Sequence, residues 1–241
     1  MKKFLENPKL LVDEFNKVAA IAQRKAFITV GLEIQKEEIE ALQAYRENLL
    51  NLKKKYVESG LENEANLVYC LEKSLESVQF ELQMLVNIKE DKMSEAWDNL
   101  IDAQLTYGTV LRNPLQGFKT ANDNYIAKLD TYEKLLFPEM AFFSVGGVVK
   151  KCLCSICNDN YAKCNHIKGK LYNGELCTRE ISEMTVEEIS FVETPANKHC
   201  RQLTISYNEK TVDVLTLREQ SETLEDDEMS CIVYEFPQNQ N

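Results

Sequence analysis

Apolar residues recur at helical spacing through most of the first 137 positions. Leu42, Tyr45, Leu49, Leu52 and Tyr56 follow one another at intervals of 3, 4, 3 and 4, which is one stripe on a helix. Ser59-Gly60 supplies a C-terminal stop. Val68, Leu71, Leu75, Val78, Leu82 and Leu85 continue the 3, 4 rhythm and read as the seam of antiparallel helices in a bundle or short coiled coil. Glu90-Asp91-Lys92 interrupts the pattern. A further helix carries Trp97, Leu100, Ile101, Leu105 and Leu111, with Asp91 or Ser94 as its cap, and Arg112-Asn113-Pro114 ends it. Another, from about 120 to 136, presents Tyr125, Ile126, Leu129, Tyr132 and Leu136. An earlier helix over roughly 9–30 carries Leu11, Phe15, Val18 and Ala22 and is free to run on through Gly31, where glycine costs about 1 kcal/mol relative to alanine.

The pattern changes near residue 141. Ala141 to Val149 is short, apolar and broken by glycine, as expected of a linker feeding a strand. Beyond it the β-prone segments are 170–172, 186–192, 202–207, 211–217 and 231–236. Asn173-Gly174 and Asn208-Glu209 read as turns. Residues 218–230 hold six acidic side chains and one basic, a solvated loop, and 237–241 read as a frayed tail. The expected architecture is α+β: a helical bundle over 1–140, a linker or first strand over 141–150, and a small β-rich domain over 151–237.

Chemistry concentrates at the start of that second part. Five of the eight cysteines lie between 152 and 177. The order Cys154-x2-Cys157, six residues, Cys164-x-His166 brings two pairs of soft ligands onto one ion. Asn158-Asp159-Asn160 is turn-forming and suits the chain's return. Three thiolates and one imidazole fill a tetrahedron and leave no open position, the mark of a structural zinc site. Cys152 or Cys177 could replace one of the four. Cys70, beside the Val68/Leu71 stripe, reads as a core thiol, and Cys200 and Cys231 as packed residues of β-prone segments.

Charge narrows the partners. The chain's net charge is −11, with 19 basic and 23 acidic residues in 1–150 and 9 and 16 in 151–241. Both parts are acidic, and nucleic-acid binding needs a basic face, so protein is the expected partner. No run approaches the roughly 18–20 apolar residues of a membrane span. Glu6, Asn7 and Pro8 interrupt the basic start before any signal-peptide core forms. These features suggest a cytoplasmic protein, where clustered cysteines bind metal rather than pair.

One downstream stretch, Glu188-Ile-Ser190-Phe-Val192-Glu-Thr-Pro195-Ala196-Asn197, resembles the serine strand of tailed-phage prohead (capsid maturation) proteases. The resemblance implies a nucleophilic role for Ser190. The cysteine run ahead of it, through His166, Tyr172 and Cys177, resembles a zinc-knuckle pattern in bacterial proteins of no assigned activity. A serine nucleophile needs a base. His166 is committed to the metal, and His199 follows Ser190, whereas in that family the histidine precedes the serine on a separate strand. The favoured expectation is therefore a non-catalytic, zinc-binding adaptor or structural subunit. Its helices self-associate or dock into a larger bacterial or phage assembly, such as an anti-phage defence complex. The rival is a serine peptidase acting through Ser190.

Overall fold

The structure, a computed structural model, describes residues 8–114, 123–207 and 210–219. Among the described residues five helices precede three small antiparallel sheets, an α+β arrangement. The helices are α1 (Pro8–Lys25), α2 (Leu32–Glu58), α3 (Glu62–Lys89), α4 (Met93–Leu111) and α5 (Asp123–Leu136). The strands are β1 (Phe142–Cys154), β2 (Leu171–Tyr172), β3 (Glu175–Leu176), β4 (Arg179–Val192), β5 (Thr204–Tyr207) and β6 (Lys210–Asp213). They pair as β1 with β4, β2 with β3 and β5 with β6.

Short links at 59–61 and 90–92 fold α2, α3 and α4 back on one another. The central helix α3 packs against α2 on one side and α4 on the other. Its stripe is consumed inside the bundle: Val68, Leu75, Val78, Leu82 and Leu85 are almost wholly buried, against Leu42, Leu49, Leu52 and Tyr56 of α2 and Leu100 and Ile101 of α4. Truncating such a leucine costs about 2–5 kcal/mol. Charged groups are paired between the helices. Arg46 bridges Glu72 and Glu76 across α2 and α3. Buried Glu81 faces Lys128 of α5, and burial raises its pKa despite that cation.

Two local expectations are corrected. The first helix stops at Lys25 instead of running to 30 or beyond. The carbonyls of the following turn are taken up by distant side chains. The Gln35 amide donates to Lys25 O and Phe27 O at 3.0 Å each, and the Ala26 carbonyl accepts from Lys128 Nζ at 2.9 Å. Helix α4 has neither Asp91 nor Ser94 as its cap. Lys92 holds that position without a side-chain cap, Asp91 takes a left-handed conformation (φ 63°), and the Ser94 hydroxyl accepts from buried Arg201 at 2.8 Å. Ser59-Gly60 does end α2, Gly60 adopting φ 69°.

The segment read as a linker or first strand belongs to β1, the first half of a long ribbon. Strand β1, 13 residues, pairs antiparallel with the 14 residues of β4. The β4 strand starts seven residues ahead of the apolar run at 186. Among the described residues no third strand joins this pair. Near Phe142 the ribbon is moored to α4. Trp97 packs on Phe142 (6.2 Å) and Phe137 (5.3 Å) and donates its indole N–H to Lys198 O. His199 lies between Asp98 (Nδ1, 3.2 Å) and Asp102 (Nε2, 3.2 Å). Strand β6 ends at Asp213, short of the expected 217. Asn208-Glu209 and 231–241 lie outside the described residues, as does all but Arg218 and Glu219 of the 218–230 loop.

The His199 clamp makes stability depend on pH. Hydrogen bonds to Asp102 and Asp98 raise its pKa to about 9, against the opposing effect of burial. The raised value means that its contribution is complete below the ordinary value near 6.5. It is lost as pH rises toward about 9, since the unfolded chain gives up the proton first. Urea unfolding should therefore show stability falling by roughly 1–3 kcal/mol over that window, the half-exposed carboxylates limiting the gain. In His199→Gln the fall should be largely gone; an unchanged slope would show that the imidazolium does not hold this junction.

Candidate metal centre

Between β1 and β4 the chain makes a compact knuckle. Cys154 ends β1, and the turn after it is closed by Asn158 N donating to Cys154 O at 2.8 Å. Asn158 adopts φ 58°, a conformation asparagine tolerates better than most residues, which turns Cys157 back toward Cys154. The Asn160 side chain accepts from Ala162 N and opens a single 3-10 turn over Tyr161–Lys163. That turn delivers Cys164 and His166. A hairpin then reverses at Asn173 and Gly174, both at positive φ (48° and 72°), the two-residue turn expected of Asn-Gly.

The donor atoms of Cys154, Cys157, Cys164 and His166 all lie within 4.8 Å of one another and could hold a metal ion. The four residues expected from spacing are thus brought together. Their chemistry fits an ion. His166 Nδ1 is buried with no hydrogen-bond partner, an expensive state unless something else uses its lone pair. Its ring rests edge-on against Tyr172 at 4.6 Å, which fixes the direction of that nitrogen.

Cys177 adds a fifth donor. It is fully buried, and its sulfur lies 3.8 Å from that of Cys154. Two thiolates about 2.3 Å from one tetrahedral ion stand about 3.8 Å apart. Its backbone pairs with the knuckle through Gly169 N to Cys177 O (2.8 Å) and Cys177 N to Lys170 O (2.9 Å). Of the two substitutes that spacing left open, Cys177 is at the cluster. Cys152 is not a member of the close quartet, and its sulfur's contact is the carbonyl of Leu153 at 4.0 Å.

Electrostatics sort the thiols. Burial opposes ionisation of Cys154. The backbone N–H groups of Cys157 and Ile156, with the thiols of Cys164 and Cys177, outweigh it and bring that thiol down to about 6. Burial and the neighbouring sulfurs push Cys177 up to about 11 and raise Cys164. Cys154 is therefore a thiolate before Cys164 and Cys177, and a cation is what would let those two ionise beside it.

The knuckle is tied to the bundle. Gly174 N donates to Asn66 Oδ1 (2.7 Å), Lys53 Nζ donates to Gly174 O (2.9 Å), and the Asn113 amide donates to Gly169 O (2.9 Å). A Cβ on Gly174 would meet the Lys53 side chain at 2.9 Å. No local pattern signals these contacts, because their partners are more than 50 positions away.

Ser190 is elsewhere. It lies on β4 opposite Ser144 of β1. Both ring nitrogens of His199 are engaged by α4 carboxylates, and its pKa near 9 keeps it protonated at neutral pH, so it is no general base there. Cys70 is buried beside the α3 seam as expected, with its pKa pushed up to about 12 by burial. Cys200 is half-buried next to β1, where its carbonyl accepts from Phe143 N. Cys231 lies outside the described residues.

No protein-family model, curated protein or solved structure matches this chain. Among the described residues no helix is long and apolar enough to cross a membrane.

Substitutions should separate the cysteines. Cys154→Ser should abolish stoichiometric metal binding, and Cys152→Ser should leave it intact, both read by elemental analysis of purified protein. Equal metal content in the two variants would mean that the cluster is not the binding site.

Proposed function

We propose that the protein is a non-catalytic, zinc-stapled scaffold, a structural subunit whose β ribbon is held rigid for assembly with other protein. The observation that carries this reading is the close quartet of Cys154, Cys157, Cys164 and His166 at the base of that ribbon. Three thiolates and an imidazole favour zinc among the abundant divalent ions. Four protein ligands complete its tetrahedron, so no site is left for a reacting water or substrate. The zinc then acts on folding. It crosslinks Cys154 to a loop that reaches His166, in a segment with few buried apolar side chains of its own.

The partner is protein. A chain of net charge −11 presents no overall attraction to phosphates. The α3 seam that offered a docking surface is consumed within the bundle, whereas the ribbon exposes Val145, Val186, Ile189 and Phe191. Membership of a bacterial or phage assembly belongs to this proposal through the motif resemblances alone.

Protein produced in zinc-replete medium should carry one zinc per chain. Chelation should accelerate amide exchange across 152–178 while the far-ultraviolet signal of the helices is retained. Absence of stoichiometric zinc would overturn the staple. Fluorophosphonate labelling of Ser190, lost in Ser190→Ala, would replace the scaffold with a peptidase.

A further inference from the structure

The two faces of the β1–β4 ribbon differ in kind. The register places Phe143 opposite Phe191, Val145 opposite Ile189 and Val149 opposite Met184. Side chains alternate between faces along a strand, and a bulge between Gly146 and Gly147 keeps these three pairs on one side. Contacts confirm the assignment. The Phe143 and Phe191 rings meet edge to face at 5.4 Å, and a Cβ on Gly147 would strike the Met184 methyl at 2.9 Å. On the opposite face a Cβ on Gly146 would strike Glu188 at 2.8 Å.

The first face carries no charge along its paired stretch, yet it is open to solvent. Val145 is 53 % exposed, Val186 56 %, Ile189 57 % and Phe191 64 %. A contiguous apolar patch of this kind marks an interaction site. We infer that its occupant is a second copy of this chain, ribbon packed on ribbon about a two-fold axis. The inference rests on the scaffold reading and names its partner.

Three features favour a copy of the chain itself. An uncharged, apolar face is complementary to itself, so a two-fold pairing leaves no buried charge unmet. Covering the exposed parts of these side chains on both copies removes on the order of 1,000 Å² from water, the lower bound for a specific interface. The strands also differ in sign: β1 carries Lys150 and Lys151 and no acidic residue, and β4 carries Arg179 against Glu180, Glu183 and Glu187, with Glu188 turned to the opposite face. A two-fold axis running along the ribbon lays β1 of one copy over β4 of the other and brings opposite charges to each rim.

The test is the solution mass of the purified full chain, by sedimentation equilibrium from about 1 to 100 μM, with zinc content measured on the same samples. A concentration-dependent dimer is expected. Ile189→Glu should raise its dissociation constant on the order of 30-fold or more, as loss of a central apolar anchor does. Val145→Glu, also at an exposed position, should do the same, and both variants should keep their zinc. A monomer at every concentration overturns the inference, whether the face is then left bare, met by the chain beyond Glu219 or kept for a different protein. So does a dimer that neither substitution weakens. A zinc-loaded monomer would sink the dimer alone, and a zinc-free dimer would sink the zinc staple alone.

Discussion

The long ribbon exists because it is pinned at both ends. Two antiparallel strands without a third are marginal in water, and these run for 13 and 14 residues with no further strand among those described. At one end Phe142 is packed on Trp97, and Phe143 N donates to Cys200 O, beside the His199 clamp. At the other end Cys154 finishes β1 and Cys177 stands two residues ahead of β4, their sulfurs 3.8 Å apart. The knuckle between them is fastened to α2, α3 and α4 by Lys53, Asn66 and Asn113. Each mooring uses a different physics: aromatic packing and a charged hydrogen bond at one end, and at the other a cluster of soft ligands that could hold a metal ion.

Whatever is local and periodic could be read from the chain. The α3 seam, the Ser59-Gly60 stop, the Asn173-Gly174 turn and the Cys/His quartet each declare themselves within about twenty residues. The first half of β4 does not. Arg179 to Thr185 has only Ile181 and Met184 as apolar residues, and its strand conformation comes from pairing with β1. The end of α1 is equally silent, since its carbonyls are satisfied by Gln35 and Lys128. The His199 clamp was within partial reach, because Asp98 and Asp102 are four apart and must share one face of α4. Nothing in the chain said that a histidine nearly a hundred positions later would lie between them.

The same clamp weighs on the chemistry. A serine on a strand becomes a nucleophile when a neutral imidazole takes its proton. Here one histidine belongs to the cysteine cluster, and the other is held as a cation by two carboxylates. Ser190 is paired across the ribbon with Ser144, a cross-strand hydroxyl pair that suits sheet structure. The motif that resembles a protease strand thus stands in surroundings built for pairing and mooring.

Under the proposed zinc staple, the arrangement also links the metal to the exposed apolar face. Loss of the ion would leave the Phe142 end moored, so the ribbon would fray from Cys154 and Arg179 upward. Fraying proceeds first through the bulges around Lys151, where pairing is already irregular. The Val149 and Met184 end of the apolar face would loosen before the Phe143 and Phe191 end. Gly147 marks the place where such fraying meets resistance. A Cβ there would lie 2.2 Å from the Thr185 carbonyl oxygen, so only glycine admits this close approach to β4 in the middle of the face. Metal occupancy therefore sets how much of the apolar surface is flat and available, while the close approach at Gly147 and the aromatic mooring set how much survives without it.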